Sequence, residues 1–458
     1  MHKFDLIVIG AGPAGTTAAT IAAKAGRRVA LVEKDKPGGT CLNYGCDPTK
    51  TLLHTANLLH HAKLAAHYGL EIPQINFNWQ KVRQQVVNVQ TKMRGGSAGE
   101  AFKKFKEQGI EAIKGQAKFI SPHAIRVGDE TFEGENFIIA VGNKPSVPPI
   151  EGLRQAGYIT NIEAVSLENL PRRLAIVGGG AIGIEFAQIF ERFGVEVTVL
   201  EGSPAILETE DQELATRLVE LLQKEAITLK TGARLERVEV SKEGKQLQVR
   251  LANNHLKEII VDEIMIAVGR MPALEGLYLE EAGVKYNDKG IEVDANLRTN
   301  VPHIWAAGDI SGGYQFTHIA EAQGELAAYN VFSNKPKAFD EQAIGWVIFT
   351  DPELAHLGKT EEELKKSKVK YRALYQPLKD IARAIIKNET EGMVKLLINP
   401  QNQLLGAHIL GAEAAEMLAP LLVIMQNGLP LSALESIKFP YPTLAQSLTE
   451  TAKQAQVE

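Results

Sequence analysis

A chain of 458 residues exceeds what one hydrophobic core usually serves, so we expect two to four domains. Its formal net charge is -5 and no run of Lys or Arg exceeds two, which excludes the basic footprint of a nucleic-acid-binding protein and favours a small-molecule partner. An apolar strand begins at Phe4 without a signal peptide, and the most apolar stretch elsewhere, Leu418 to Met425, is too short to span a membrane, so we expect a cytoplasmic protein without membrane insertion.

The chain opens with a strand, glycine turn, helix and strand. The predicted strands are Phe4 to Ile9 and Val29 to Val32, the second ending at Glu33, with a helix over Thr16 to Ala25 between them. Glycines permit a tight turn and let a helix N-terminus approach a pyrophosphate, and a carboxylate at the strand end accepts hydrogen bonds from a ribose. The pattern predicts a dinucleotide site that contains Gly10, Gly12, Gly15 and Glu33.

A second unit of the same kind follows. A strand over Leu174 to Val177 leads into the turn Gly178 to Gly183, a helix over Ile184 to Phe193, and a strand over Val195 to Leu200 that ends at Glu201. The acidic residue lies 18 positions after the last glycine in both units, from Gly15 to Glu33 and from Gly183 to Glu201. This repetition predicts two dinucleotide sites, the second with Gly178, Gly180, Gly183 and Glu201. The alternative is a duplicated fold in which one site has lost its ligand.

The second acidic residue bears on the choice of nicotinamide cofactor. A carboxylate binds a free ribose 2'-hydroxyl and repels a 2'-phosphate, and the adjacent Gly202 and Ser203 add no cation. Glu201 therefore favours NADH, while NADPH stays possible.

Two cysteines, Cys41 and Cys46, follow the first unit. In a cytoplasmic protein, two cysteines this close in sequence indicate a disulfide that forms transiently in redox chemistry. The alternatives are a chance pair and half of a zinc site. Residues five apart on a regular helix lie farther apart than the about 7 Å that a disulfide tolerates, so the backbone must deform there. Gly45 and Pro48 permit such a distorted helix start, where a thiolate is stabilised. Lys50, one turn beyond Cys46, would favour that thiolate, unless it is an ordinary surface lysine.

The segment Gly38 to Lys50 resembles the redox-disulfide motif of the pyridine nucleotide-disulfide oxidoreductases. That family includes dihydrolipoamide dehydrogenase, glutathione reductase and mercuric reductase. The resemblance covers essentially the whole chain, since it continues through Ala140 to Gly142, Ala267 to Pro272, Trp305 to Asp309 and Phe349 to Glu353.

The resemblance implies an α/β fold with two Rossmann-like domains, for FAD and NAD, and a C-terminal α+β dimerisation domain. The FAD-binding domain would comprise residues 1–145 and 270–339, and the NAD(P)-binding domain residues 146–269. Residues 340–458 would form the interface domain of a homodimer.

It also implies roles for individual residues. Electrons would pass from NADH through FAD to Cys41 and Cys46 and on to an acceptor that the sequence does not identify. Cys46 would be the thiol on the flavin side and Cys41 the thiol that exchanges with substrate, while Lys50 would pair with Glu185 beside the flavin. Asp309 would hydrogen-bond the ribityl chain and Ala117 would lie at the adenine; the other implied cofactor-binding residues are Thr40, Gly142 and Gly269.

One departure limits the assignment. Tyr441 and Gln446 occupy the positions of the His-Glu pair that disulfide reductases of this family contribute across the dimer interface. A phenol with a pKa of about 10 is a poor general base at pH 7, which disfavours lipoamide and glutathione disulfide as substrates. Mercuric reductase has a tyrosine there, and soft metal ions need thiolates more than a proton shuttle. However, the C-terminal cysteine pair of that enzyme is absent from Ala452 to Glu458, and we expect no metal-binding domain before Phe4.

We therefore expect a mercuric reductase-like oxidoreductase, with Tyr441 as a candidate catalytic residue. The alternatives are dihydrolipoamide dehydrogenase-like activity, direct reduction of quinone, oxygen or metal ions by the flavin, and a redox-sensing flavoprotein of low turnover. His318 could approach the flavin because it follows Asp309. No metal site is expected; four further histidines on a predicted helix are interpreted as surface or packing residues, namely His54, His60, His61 and His67.

Overall fold

The first glycine unit forms the centre of a seven-stranded sheet in a computed structural model that describes residues 2–456. The central strand is His2–Ile9, and its apolar second half, Leu6 to Ile9, is buried on both faces, as in parallel sheets that helices cover on both sides. In order across the sheet the strands are Ile110–Lys114, Val29–Glu33, His2–Ile9, Glu130–Ile139, Ala124–Val127 and Ala117–Ser121, with Ile304–Ala306 also beside Glu130–Ile139. All pair in parallel except Ala124–Val127 and Ala117–Ser121.

Two helices lie against each other on this sheet, Pro13–Lys24 and Thr317–Phe332. Small residues let them approach closely: a Cβ on Gly324 would lie 2.2 Å from the carbonyl oxygen of Ala14. The first glycine turn therefore has two neighbours that are distant from it in sequence, the strand Ile304–Ala306 and the helix Thr317–Phe332. Four helices lie between the second and third parallel strands in sequence: Gly39–Tyr44, Cys46–Lys63, Trp79–Arg94 and Ala98–Glu107.

The second glycine unit forms a separate parallel sheet. Its strands, in order, are Thr228–Lys230, Glu196–Leu200, Arg173–Val177 and Glu263–Ile266. A three-stranded antiparallel sheet packs on one face through a shared apolar core, with strands Arg234–Ser241, Gly244–Arg250 and Leu256–Val261. The helices of this part of the chain are Leu153–Ala156, Asn161–Ala164, Ala181–Arg192 and Gln212–Lys224.

The C-terminal region is built on a five-stranded antiparallel sheet. Its strands, in order, are Gly345–Ile348, Glu353–Gly358, Leu404–Gly411, Met393–Ile398 and Arg372–Pro377. Its helices are Glu361–Lys366, Ala382–Lys387, Ala414–Gln426, Ser432–Ser436 and Gln446–Lys453. Single turns of 3-10 helix occur at Ala65–Tyr68, Leu279–Ala282, Asp309–Ser311, Leu378–Asp380 and Gln454–Gln456.

The predicted fold class is confirmed by these three regions. A two-stranded ribbon pairs Asn143–Pro145 with Arg270–Pro272, beside the predicted junctions at 145/146 and 269/270; another joins Tyr286–Asn287 to Gly290–Ile291. The individual domain limits stay a prediction. Residues 1 and 458, where the first predicted domain begins and the last one ends, lie outside the described part of the chain. Among residues 2–456, no helix is both long and apolar enough to cross a membrane.

Candidate functional site

The two glycine turns have nearly identical backbone geometry. The first glycine of each has a positive φ, 103° at Gly10 and 115° at Gly178. A Cβ on Gly183 would lie 2.0 Å from the carbonyl oxygen of Gly178, so only glycine lets the helix start this close to the strand. By contrast, the space around Gly180, just before the helix Ala181–Arg192, is open to 4 Å. This opening is where a pyrophosphate would approach the helix N-terminus.

The two strand-end carboxylates are held in matching ways. Glu33 accepts hydrogen bonds from the amides of Ala11 and Asp35 at 2.8 and 2.7 Å, and burial raises its pKa. Glu201 accepts hydrogen bonds from the amides of Gly179 and Ser203 at 2.6 and 2.7 Å. Each contact of the second unit lies 168 positions after its counterpart in the first. The equal spacing in sequence thus corresponds to equal geometry at the two carboxylates.

One cavity of about 1920 Å³ connects both units to the cysteines. Most of the predicted site residues line it: Gly10, Gly12, Glu33, Thr40, Cys41, Cys46, Lys50, Ala117, Gly142, Gly178, Gly180, Glu185, Glu201, Gly269 and Asp309. Gly15 and Gly183 lie behind the turns, against the carbonyl groups of Gly10 and Gly178. A continuous cavity of this length suits two elongated dinucleotides that meet near the thiols.

The backbone break predicted between the cysteines is present. The helix Gly39–Tyr44 ends before Gly45, whose φ of -125° and ψ of -113° are not helical, and a new helix starts at Cys46. Pro48 lies in the first turn of that helix, where its missing N–H leaves no partner unsatisfied. Both cysteines are free thiols in this structure, with Cys46 exposed to the cavity.

The two thiols differ in their acidity. The Cys41 thiol donates a hydrogen bond to the Cys46 sulfur, which together with the Thr317 hydroxyl at 3.5 Å and the Lys50 cation lowers the pKa of Cys46 to about 6. The same hydrogen bond raises the pKa of Cys41 well above its usual value, because removing the Cys41 proton would place a second negative charge beside the first. Cys46 is therefore the more acidic thiol of the pair.

Lys50 and Glu185 form the expected ion pair. Lys50 Nζ lies 2.6 Å from Glu185 Oε2, and Glu185 Oε1 accepts a hydrogen bond from the Phe349 amide at 2.9 Å. The Lys50 cation also lies 4.8 Å from the centre of the Phe349 ring. Their catalytic role stays a prediction.

Asp309 lies in the cavity wall with a partner that the sequence did not suggest. Arg270 NH1 is 2.7 Å from Asp309 Oδ2, and both side chains are mostly buried. The pair leaves the other Asp309 oxygen available to a hydroxyl group in the cavity.

Tyr441 does not reach the thiols within one chain. Its side chain is 76% exposed and does not line the cavity. The Gln446 side chain accepts a hydrogen bond from the Thr443 amide at 3.2 Å, so its partner lies within the same short segment. Of the C-terminal tail, residues 457 and 458 lie outside the described part of the chain.

The five histidines named in the sequence analysis lie in two places. His54, His60 and His61 lie on the helix Cys46–Lys63 and His67 on the following 3-10 turn, and none of them lines the cavity. His318 does line it, next to Thr317, and stacks on the Phe316 ring at 5.8 Å; burial lowers its pKa.

Three features of the cavity were missed by sequence reasoning: the hydroxyl of Thr317, the guanidinium of Arg234, and an aromatic wall. In that wall Trp346 stacks between Phe316 at 5.3 Å and His356 at 3.6 Å. No local motif marks these residues, which lie 51 or more positions from the nearest glycine turn or cysteine. In the structure Thr317 begins a helix and Arg234 begins a strand, and neither element was predicted from the sequence.

Comparison with known proteins gives matches over nearly the whole chain. The family model of pyridine nucleotide-disulphide oxidoreductases matches residues 4–324, and the model of their dimerisation domain matches residues 344–452. A dihydrolipoyl dehydrogenase of Thermus scotoductus is 37% identical over 99% of this chain and 97% of its own length. A mercuric reductase of Staphylococcus aureus is 34% identical over 97% of this chain and 81% of its own length.

A solved structure has the same overall fold. It is a Cu(II) complex of the HOCl-induced flavoprotein disulfide reductase RclA from Escherichia coli, with a TM-score of 0.89 and 32% identity. The match covers 100% of both chains.

Proposed function

The chain belongs to the pyridine nucleotide-disulphide oxidoreductase family, and we propose that it is a reductase whose Cys41–Cys46 pair passes electrons from a nicotinamide cofactor to a thiol-binding metal ion. The family makes it an enzyme that uses FAD and NAD(P)H, and its dimerisation domain supports a homodimer. The observation on which the proposal depends is the free Cys41 and Cys46 pair in the wall of the cavity, with Cys46 exposed to it.

The described residues fit both cofactors. The first glycine turn, Glu33, Ala117 and Asp309 would hold FAD, and the second turn with Glu201 would hold the nicotinamide cofactor. When bound, FAD would accept a hydride from the nicotinamide and supply two electrons to a disulfide between Cys41 and Cys46. The corresponding domains are proposed at 1–145 with 270–339, at 146–269 and at 340–458.

The chain's own residues prepare the pair for this exchange. Reduction of the disulfide breaks the S–S bond and takes up two electrons and one proton, and the product at neutral pH is one thiolate and one thiol. Thr317 and Lys50 stabilise the thiolate on Cys46, and Cys41 keeps the proton. Lys50 in turn is fixed by Glu185, so its charge stays near the sulfur.

The lack of the family's His-Glu pair favours a metal ion as the acceptor. Lipoamide or glutathione disulfide needs a general base at the exchanging thiol, whereas Tyr441 and Gln446 stand at the positions of the family's His-Glu pair. Thiolates bind soft metal ions directly without such a base. The relatives support this choice, since one is a mercuric reductase and the RclA structure is a Cu(II) complex.

The first experiment is an anaerobic NADH titration of the FAD-loaded protein. Two thiols should become alkylatable, at Cys41 and Cys46. The reduced protein is then offered Cu(II), mercuric ion, lipoamide, glutathione disulfide and quinones, and NADH oxidation is followed. We expect turnover with the metal ions and little with the disulfides.

Serine variants of the cysteines provide the control. Cys41→Ser, Cys46→Ser and the double variant should each abolish metal reduction while flavin reduction by NADH persists. Turnover that survives in the double variant would show that the flavin reduces the acceptor directly. No new thiols after NADH would refute the proposed electron path.

A further inference from the structure

The residue that follows Cys46 in the chain carries a negative charge. Asp47 lies in the first turn of the helix Cys46–Lys63 and lines the cavity together with both cysteines. Consecutive α-carbons are about 3.8 Å apart, so the carboxylate of Asp47 cannot lie far from the Cys46 sulfur. The immediate surroundings of the thiol pair therefore include a carboxylate.

The Asp47 carboxylate has no direct partner in the part of the chain that the structure describes. Among residues 2–456 its side chain makes no hydrogen bond and no ion pair, and it is half-buried. Lys50 acts on it through space, but Lys50 Nζ is held by Glu185 Oε2 at 2.6 Å. The charge of Asp47 can therefore act on a molecule that enters the cavity beside the thiols.

The electrostatic balance at the thiols is negative. The cation of Lys50 is offset by Glu185, whereas the Asp47 carboxylate is not matched by a second cation. The hydrogen bond between the two thiols is the largest cause of their pKa shifts, and the charge of Asp47 acts on both thiols in the direction that raises the pKa. Such a charge attracts a cation to the thiols and repels an anion.

On the basis of the proposed function, we propose that Asp47 is a specificity-determining residue whose charge attracts a cationic acceptor, a hydrated metal ion, to the thiols and disfavours anionic acceptors. Within residues 2–456 no group of three or more side chains could hold a metal ion, so Asp47 acts on the approach of the ion and not as a ligand of a preformed site. Glutathione disulfide is an anion at neutral pH. Its exclusion thus has a second cause, independent of Tyr441 and Gln446.

The test compares thiol reagents of opposite charge on the FAD-loaded Cys41→Ser variant, in which Cys46 is the single cysteine. The cationic trimethylammonioethyl and the anionic sulfonatoethyl methanethiosulfonate both form a mixed disulfide with a thiolate and release methanesulfinate. The ratio of their rate constants reports the local charge, because the acidity of the thiol affects both rates alike. Adding Asp47→Asn should lower the cation-to-anion ratio about tenfold, or about threefold for each unit of reagent charge. Salt at about 1 M should remove most of this difference.

Two further variants in the same background provide the controls. Asp47→Glu keeps the charge and should keep most of the ratio. Glu107→Gln removes an exposed negative charge at the end of the helix Ala98–Glu107, outside the cavity, and should leave the ratio unchanged. A ratio that does not fall in Asp47→Asn, or that falls equally in Glu107→Gln, would overturn the inference.

Steady-state kinetics with both cysteines present should agree. Asp47→Asn should raise KM for Cu(II) and for mercuric ion about threefold or more, with a smaller change in kcat, and Glu107→Gln should change neither. An unchanged KM in Asp47→Asn would overturn the role in acceptor selection. The reagent ratio requires neither a nicotinamide cofactor nor a metal ion, so its outcome is separate from the acceptor screen that tests the proposed function.

Discussion

Lys50 Nζ lies 2.6 Å from Glu185 Oε2, and this ion pair joins the helix that begins at Cys46 to the helix that follows the second glycine turn. Glu185 also accepts the amide of Phe349, from the C-terminal region. Three parts of the chain that are distant in sequence therefore meet one turn away from the Cys46 sulfur. The pair therefore links the helix of the second glycine unit to the cation near the Cys46 sulfur.

Removal of this cation should make Cys46 less acidic. Lys50 is one of the groups that lower the pKa of Cys46, after the hydrogen bonds from Cys41 and Thr317, so Lys50→Met should raise that pKa. The thiolate absorbance of the reduced protein near 240 nm, measured against pH, reports the change. Lys63→Met, on the same helix but remote from the sulfur, should leave the curve in place. An unshifted curve for Lys50→Met would show that the ammonium does not act on the thiolate.

The hydrogen bond between the thiols has a larger predicted effect. The pKa of Cys46 is about 6 in the reduced protein, so its thiolate form is lost as the pH falls through 6. Cys41→Ala removes the largest cause of the lowered pKa and should shift the onset of Cys46 alkylation to higher pH. Thr317→Val should produce a smaller shift in the same direction. Iodoacetamide rates from pH 5 to 9, with mass spectrometry to identify the modified cysteine, provide the measurement. Faster labelling of Cys41 than of Cys46 at pH 7 would contradict the assignment.

The glycine units show what the sequence determines well. Their spacing predicted two sites, and the strand predicted at Phe4 to Ile9 is present as His2–Ile9. Both helices begin three residues earlier than predicted, at Pro13 and Ala181, because each starts directly after the middle glycine of its turn. Periodic apolar runs and glycine turns are local signals, so element type could be predicted more accurately than element ends.

Contacts between distant segments could not be predicted in the same way. Thr317 reaches Cys46 across 271 positions, and Arg234 reaches the Glu201 turn through backbone bonds of the preceding residues. Neither side chain belongs to a motif. Tyr441 is the opposite case. The family motif pointed to this residue, but its side chain is exposed and does not line the cavity of its own chain. A catalytic role for Tyr441 stays a prediction, and it would require the second subunit of a homodimer.

Two glycines of the second turn should respond differently to alanine. A Cβ on Gly183 meets the Gly178 carbonyl oxygen at 2.0 Å, whereas a Cβ on Gly180 meets nothing within 4 Å. Gly183→Ala should therefore lower the free energy of unfolding by about 2 kcal/mol or more through strain, and Gly180→Ala by less than about 1 kcal/mol. Gly180→Ala should nevertheless weaken nucleotide binding, because the methyl group occupies the space of the pyrophosphate. Denaturation and calorimetry on both variants measure the two effects, and equal stability losses would contradict the structure.

Arg192 should be the most costly arginine to replace in this chain. Its side chain is 1% exposed and binds Glu225 through two bonds of 2.8 Å and Asp351 through one of 3.0 Å. Arg192→Met would leave both carboxylates partly buried without the guanidinium that pairs them, at a cost of about 3 to 5 kcal/mol. The pair of Arg250 with Glu236 provides the control, because both side chains are exposed and Arg250→Met should change the free energy of unfolding far less. Chemical denaturation of the FAD-loaded protein compares the two variants. Since Arg192 holds the glycine-turn helix against Asp351 of the C-terminal region, its loss should also weaken nucleotide binding; a variant with unchanged stability would show that the two carboxylates find other partners.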